Sequence, residues 1–138
     1  MIVPESFGMI GRSPQFIRFW RTVQRYATND VTVLISGETG AGKELAARAL
    51  HYLGDRAGGP YLPVNCGAVP DSLLESEFFG YLRGAFTDAR TPQIGIVEQA
   101  QGGTLFLDEV EALSQRAQSV LLRFLQDFHY RPLGGRSE

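Results

Sequence analysis

"VTVLISGETGAGKE" (residues 31–44) joins a short β-branched apolar run to the glycine-rich octad "GETGAGKE" (37–44) and then to helix-forming sequence. The apolar run "VTVLIS" (31–36) reads as a buried strand. "KELAARALHYL" (43–53) reads as a helix. Strand, glycine-rich loop and helix in that order form the context in which G-x-x-x-x-G-K acts as a phosphate-binding loop. Gly37, Gly42 and Lys43 fit that pattern, while Glu44 stands where a magnesium-binding Ser or Thr is expected. The backbone N–H groups of Gly37, Glu38, Thr39, Gly40, Ala41, Gly42 and Lys43 can cradle phosphate oxygens, and Lys43 can reach the β- and γ-phosphates as a point charge. A glycine-rich turn that binds nothing is the competing reading.

Working outward, Ser13-Pro14 predicts a helix start, and Phe16, Phe19, Trp20, Val23, Tyr26 and Ala27 follow at helical spacing. "GDRAGGP" (54–60) is a loop and "YLPVN" (61–65) a second strand. Ser72 with Glu75 predicts a capping box for a helix over about 72–79. "GYLRGAFTDARTPQ" (80–93) has no period and predicts a long loop or protruding hairpin, a kind of segment that tends to be functional. "GIVEQAQGG" (95–103) predicts a short helix ended by glycines. "TLFLDE" (104–109) predicts a third strand ending in two acids, and Ser114 the cap of a last helix with Ala117, Leu121, Phe124, Leu125 and Phe128 on one face. Alternating strands and helices imply an α/β fold, a parallel sheet with helices on both faces. Ligands in such folds bind beyond the carboxyl ends of the strands, where both the glycine loop and the acidic pair are expected.

The 138 residues suffice for one domain, and 43% hydrophobic with 20% charged residues is a globular balance. A net charge of −2 with no Lys/Arg run argues against direct nucleic-acid binding. The single cysteine, Cys66, forms no internal disulfide, which fits a reducing cytoplasm, and reads as a small buried thiol. No apolar run approaches a membrane span, and the N-terminal "MIVPESFGMIGRS" has no signal-peptide pattern. His51 and His129 are isolated and read as surface or packing residues, with no Cys/His cluster for zinc.

The acidic strand end supplies the second half of a phosphoryl-transfer site. Asp108 can hold Mg2+ directly or through water. Glu109 can polarise an attacking water as general base. Asn65 ends the middle strand, either as a plain polar terminus or as an amide that hydrogen-bonds Glu109 and restrains it.

The segments "MIGRSP", "VLISGETGAGKE", "HYLGDRAGGPYLPVNCGAV", "LLESEFFGYLRGAFTDA", "GGTLFLDEV" and "QSVLLRFLQD" together resemble the AAA+ ATPase domain of bacterial enhancer-binding proteins, the sigma-54-dependent transcription activators that include NtrC-like response regulators. The resemblance covers essentially the whole chain. It implies a three-layer P-loop NTPase core, a partial domain over residues 1–138 that stops before sensor I and the helical lid. Residues 37–44 then match the Walker A loop and 104–109 the Walker B strand, with Asp108 and Glu109 at its end. Glu44 matches an acid that the family commonly carries after the loop lysine. Asn65 matches the switch residue that senses the γ-phosphate, and Ile10 and Gly11 match the segment that packs on adenine. Residues 83–89 match the loop that touches the sigma factor, with Gly84, Ala85, Phe86, Thr87, Asp88 and Ala89 as its contact residues. The family's loop usually reads Gly-Ala-Phe-Thr-Gly-Ala, so Asp88 departs from it.

The same resemblance implies ATP and Mg2+ as cofactors, sigma-54 bound to RNA polymerase as partner, and ring self-association of a longer parent. DNA would be bound only through a domain outside this chain. Arginine fingers act in trans in such rings, and losing one costs on the order of 10³–10⁵ in rate. Three readings follow: an ATP-hydrolysing part of a transcription regulator, a nucleotide-binding interaction module with little turnover by itself, or a structural remnant.

Overall fold

The computed structural model describes residues 3–135 and Ser137, and its contacts divide the chain into two compact units, Met1–Tyr61 with Gly102–Thr104, and Leu62–Gln101 with Leu105–Glu138. In the first unit, helix α1 spans Pro14–Ala27 and helix α2 spans Lys43–Tyr52. Ser13 starts α1 as the sequence predicts, its hydroxyl oxygen accepting the Phe16 N–H at 3.1 Å, with Pro14 at the first helical position. The apolar stripe of α1 buries Trp20 and Val23 against Met9 and Ala49, with Phe7, Phe16, Leu45, Leu50 and Leu53 packed around them. The alanines of "ELAARAL" let α2 lie close, since Ala46, Ala47 and Ala49 are all buried.

Strands β1 (Tyr61–Asn65) and β2 (Thr104–Asp108), which belong to the second unit except for their first residues, pair in a two-stranded sheet. The turn after β1 lies beside the turn after β2, where the Gly67 Cα faces Glu109 and Ala112, so the strands run parallel. Helix α3 (Leu74–Phe79), the segment 80–93 and helix α4 (Ile96–Gln99) fill the crossover between them. Helix α5 (Gln115–Asp127) follows β2, capped by Ser114, which accepts the Ala117 N–H at 3.1 Å. The core here is Cys66, Leu74, Phe78, Phe79, Leu113, Ala117, Leu121 and Phe124, ringed by Val64, Leu105 and Leu107 from the strands. The α/β class expected from the sequence holds.

Three expectations are corrected. Residues 31–36 form no strand, and Val31 and Leu34 are 56% and 81% exposed. A strand exists through its ladder, and no other described segment offers these residues one. Ser72 caps nothing, because a 3-10 turn, Asp71–Leu73, runs directly into α3 and Leu73 occupies the cap position. Glu75 meets Arg116 of α5 at 3.1 Å instead of reaching back along its own helix. Phe128 leaves the packed face of α5, since it ends the helix in the left-handed region (φ 58°) and is 61% exposed.

Candidate functional site

The glycine loop belongs to the first unit. The Ala41 N–H donates to the Glu38 carbonyl at 3.1 Å, closing a tight turn over Glu38, Thr39, Gly40 and Ala41, all exposed. Gly40 (φ 81°) and Gly42 (φ 93°) both take the left-handed backbone that a side chain would strain. Gly42 is the N-cap of α2 and Lys43 its first residue. The Lys43 Nζ folds back to donate to the Gly37 carbonyl at 2.7 Å. The result is a tight turn with two left-handed glycines at the positive end of a ten-residue helix, with a cation folded back on it, an arrangement suited to phosphate. Glu44 lies exposed in the first turn of α2, where a negative charge is favourable to the helix.

Ile10 and Gly11 lie outside any helix or strand, just before α1. Ile10 is 87% exposed, and the Phe16 ring packs so closely on the Gly11 Cα that it fills the space a Cβ would take. His51 is a packing residue, 2% exposed, its Nδ1 2.8 Å from the Thr104 hydroxyl and its ring set edge-on against Tyr52.

The acidic pair belongs to the second unit. β2 carries Asp108 to its end, and the Asp108 carboxylate accepts the Glu109 N–H at 2.9 Å. That bond accompanies a sharp break in direction: Glu109 takes φ 55°, a left-handed conformation uncommon for a glutamate. Residues held this way concentrate at functional sites. The Glu109 side chain is exposed and its Oε2 lies over Gly67, 2.6 Å from the point where a Cβ would stand. Of the two readings of Asn65, the hydrogen bond to Glu109 is absent from this arrangement. Asn65 instead caps the turn Cys66–Ala68, its Oδ1 accepting the Gly67 N–H at 2.9 Å. Both side chains nonetheless flank the same glycine, whose part "VNCGA" did not signal. Beneath them Cys66 is 1% exposed, and burial first, then the negative charges of Asp108, Glu111 and Glu109, push its thiol up to about 11.

The segment 80–93 is a loop clamped at its base. Tyr81 forms an antiparallel bridge with Gln93 and a parallel one with Leu133, so the stretch after α5 holds the loop as a third rail. The sequence carried no sign of that rail, because "RPLGG" has no strand pattern. Gly80 (φ 76°) lies against the backbone of Gln93 and Gly95, a contact that leaves no space for a Cβ. At the tip the Gly84 N–H donates to the Ala89 carbonyl at 2.8 Å and the Ala89 N–H to the Phe86 carbonyl at 3.0 Å. Ala89 is buried, Thr87 and Asp88 are exposed, and Phe86 is 45% exposed, its ring edge-on to Tyr81. Asp88 has ordinary backbone, so the aspartate imposes no left-handed strain on the loop.

A family model described as the sigma-54 interaction domain matches residues 9–138. A DNA-binding transcriptional regulator NtrC of Bradyrhizobium sp. (strain RP501 Parasponia) is 51% identical over 133 residues, which are 96% of this chain and 28% of that protein. The acetoin dehydrogenase operon transcriptional activator AcoR of Bacillus subtilis (strain 168) is 48% identical over 132 residues, 95% of this chain and 22% of that protein. Among solved structures, NtrX from Brucella abortus in complex with ATP superposes with a TM-score of 0.79 at 34% identity, covering 94% of this chain and 27% of that one. The P-loop NTPase domain of a sigma-54 transport activator from E. coli gives 0.58 at 27% identity, covering 89% of this chain and 72% of that one. The chain thus spans 28% or less of the full length of these two regulators. Among the described residues no helix is long and apolar enough to cross a membrane.

Proposed function

The chain belongs to the sigma-54 interaction domain family, and from that premise we propose that it is the ATP-binding, ATP-hydrolysing module of a sigma-54-dependent transcription regulator, remodelling RNA polymerase bound to sigma-54. The observation that carries this reading is the phosphate cradle of residues 37–44, with two left-handed glycines, a helix N-terminus and Lys43 folded over the mouth. Gly37, Glu38, Thr39, Gly40, Ala41, Gly42 and Lys43 hold the phosphates, Glu44 stands beside them, and Ile10 with Gly11 faces the base. The exposure of Ile10 leaves its side chain available for such a contact.

Asp108 is the protein's ligand for Mg2+. No group of three or more acidic, His or Cys side chains that could hold a metal exists among the described residues. A single carboxylate fits magnesium, which keeps several waters and takes its remaining oxygens from the substrate's phosphates. Bound there, the ion would neutralise phosphate charge. Glu109 accepts a proton from the attacking water, and its left-handed backbone sets the carboxylate outside the strand, in solvent. Asn65, two residues before the glycine under that carboxylate, is in this reading the residue that engages Glu109 as nucleotide binds and leaves. Its Oδ1 is held by Gly67, so the free amide nitrogen is the group that would reach the carboxylate.

The loop 83–89 presents Phe86, Thr87 and Asp88 to sigma-54, and the regulator self-associates into a ring. ATP binding by calorimetry and phosphate release, measured on this chain and on the assembled regulator, test the proposal. Binding by the chain with turnover in the assembly is the expected result, and absence of nucleotide binding from both overturns it.

A further inference from the structure

Helix α1 carries Arg18, Arg21 and Arg25 and no acidic residue. At 100° per residue the three guanidinium stems fall within an arc of about 60°, opposite the buried Trp20 and Val23, and span about 10 Å along the axis. All three are exposed, and none is ion-paired with a described residue; Arg25 stacks over the Tyr26 ring with its Cζ 5.5 Å from the centroid. Three like charges this close repel one another. Beside it lies a groove of about 360 Å³ between α1 and the 3-10 turn Pro4–Phe7. Its walls are Val3, Pro4, Phe16, Ile17 and Trp20, with Arg21 and Glu5 lining it as well. Ile17 is 43% exposed and Val3 40%, so apolar surface is open to solvent directly beside the charged row.

We propose that this face of α1 is a docking site for an acidic amphipathic helix of a partner protein. The occupant's apolar residues enter the groove and its carboxylates, one turn apart, meet Arg18, Arg21 and Arg25. Charge complementarity selects an acidic partner, since the row is uniformly positive. The apolar groove selects protein over nucleic acid, whose backbone would leave it empty. Planar guanidinium groups suit bidentate capture of carboxylates.

Trp20, the chain's single tryptophan, lines the groove and reports its occupancy directly. The experiment titrates the whole chain with a helical Glu/Leu amphipathic peptide, with its Lys/Leu counterpart and with a short DNA duplex, reading Trp20 emission and anisotropy. The Glu/Leu peptide is expected to bind with a blue shift, weakening as salt rises, and about tenfold more weakly to the Arg18→Glu/Arg21→Glu/Arg25→Glu variant. An Arg18→Gln/Arg21→Gln/Arg25→Gln variant, with unchanged circular dichroism, should fall between the two. Equal affinity for the wild type and both variants, equal binding of the Lys/Leu peptide, no binding of the Glu/Leu peptide, or tighter binding of DNA than of peptide would each overturn the proposal.

Discussion

The ammonium of Lys43 donates to the carbonyl of Gly37, 2.7 Å away, so the first residue of α2 closes the loop that leads into it. The contact holds the cation at the mouth of the cradle, where a phosphate oxygen would replace the carbonyl as its partner. Lys43→Ala should therefore leave the fold intact, since one solvent-exposed hydrogen bond contributes on the order of 1 kcal/mol. It should cost nucleotide binding about 3 kcal/mol, roughly a hundredfold, because a charge-assisted contact to phosphate is lost. Calorimetry with ATP on wild type and variant decides, and equal affinities would refute the role given to Lys43.

Glu109→Gln should keep nucleotide affinity and lose turnover in the assembled regulator. The amide matches the carboxylate in shape and can hold the same left-handed backbone, yet it cannot accept the water's proton. Parallel binding and phosphate-release assays check this. Loss of both would mean that Glu109 serves the metal or the fold.

Cys66 should resist alkylation in the native chain. Its thiol is buried below three carboxylates, and burial with their negative charge pushes its folded pKa up to about 11, above the ordinary cysteine value of 9.0. A raised folded pKa contributes stability that is present below pH 9 and lost as pH rises toward 11, because the unfolded thiol ionises first. Iodoacetamide labelling followed by mass spectrometry at pH 8 should show native protein unmodified and denatured protein fully labelled. Rapid native labelling would contradict the burial.

Most of this fold could be read along the chain because its signals are local. Ser13 and Ser114 cap the helices that they announce, and the pattern of "TLFLDE" is realised as β2. What could not be read depends on partners distant in sequence. "VTVLIS" has the composition of a strand, but composition supplies no ladder. The bridge from Tyr81 to Leu133 joins residues whose own sequences carry no strand signal. At the candidate site, "GETGAGK" announces its loop because glycine spacing encodes backbone shape. The engagement of Asn65 with Gly67 was not legible, since an amide reaches the nearest free N–H and spacing alone does not say which that is.

Phe78→Ala should destabilise the second unit by about 3–5 kcal/mol, the range for truncating a buried aromatic. Phe78 is 0% exposed at the centre of the core built by α3 and α5. Denaturant unfolding followed by circular dichroism measures the loss, and a change under about 1 kcal/mol would show that the core collapses to fill the cavity.

The Asp88→Gly substitution should strengthen engagement of sigma-54 by the regulator. Phe86 and Thr87, the residues proposed for contact, stand exposed at its tip, and Asp88 follows them directly. The aspartate costs the loop no backbone strain, since it lies outside the left-handed region, so its effect acts through charge. No ion pair or hydrogen bond engages its carboxylate among the described residues, and docking a protein surface there would strip its water. Desolvating an unpaired charge is unfavourable by several kcal/mol unless the partner supplies a cation. Glycine removes that penalty while leaving the Gly84–Ala89 hydrogen bond that shapes the tip. The measurement is complex formation with sigma-54 in the presence of a transition-state nucleotide analogue, for the native sequence and the variant side by side. A tighter complex from Asp88→Gly is the expected outcome. Equal complexes would show that the carboxylate stays in solvent, and a weaker one that sigma-54 offers Asp88 a basic partner.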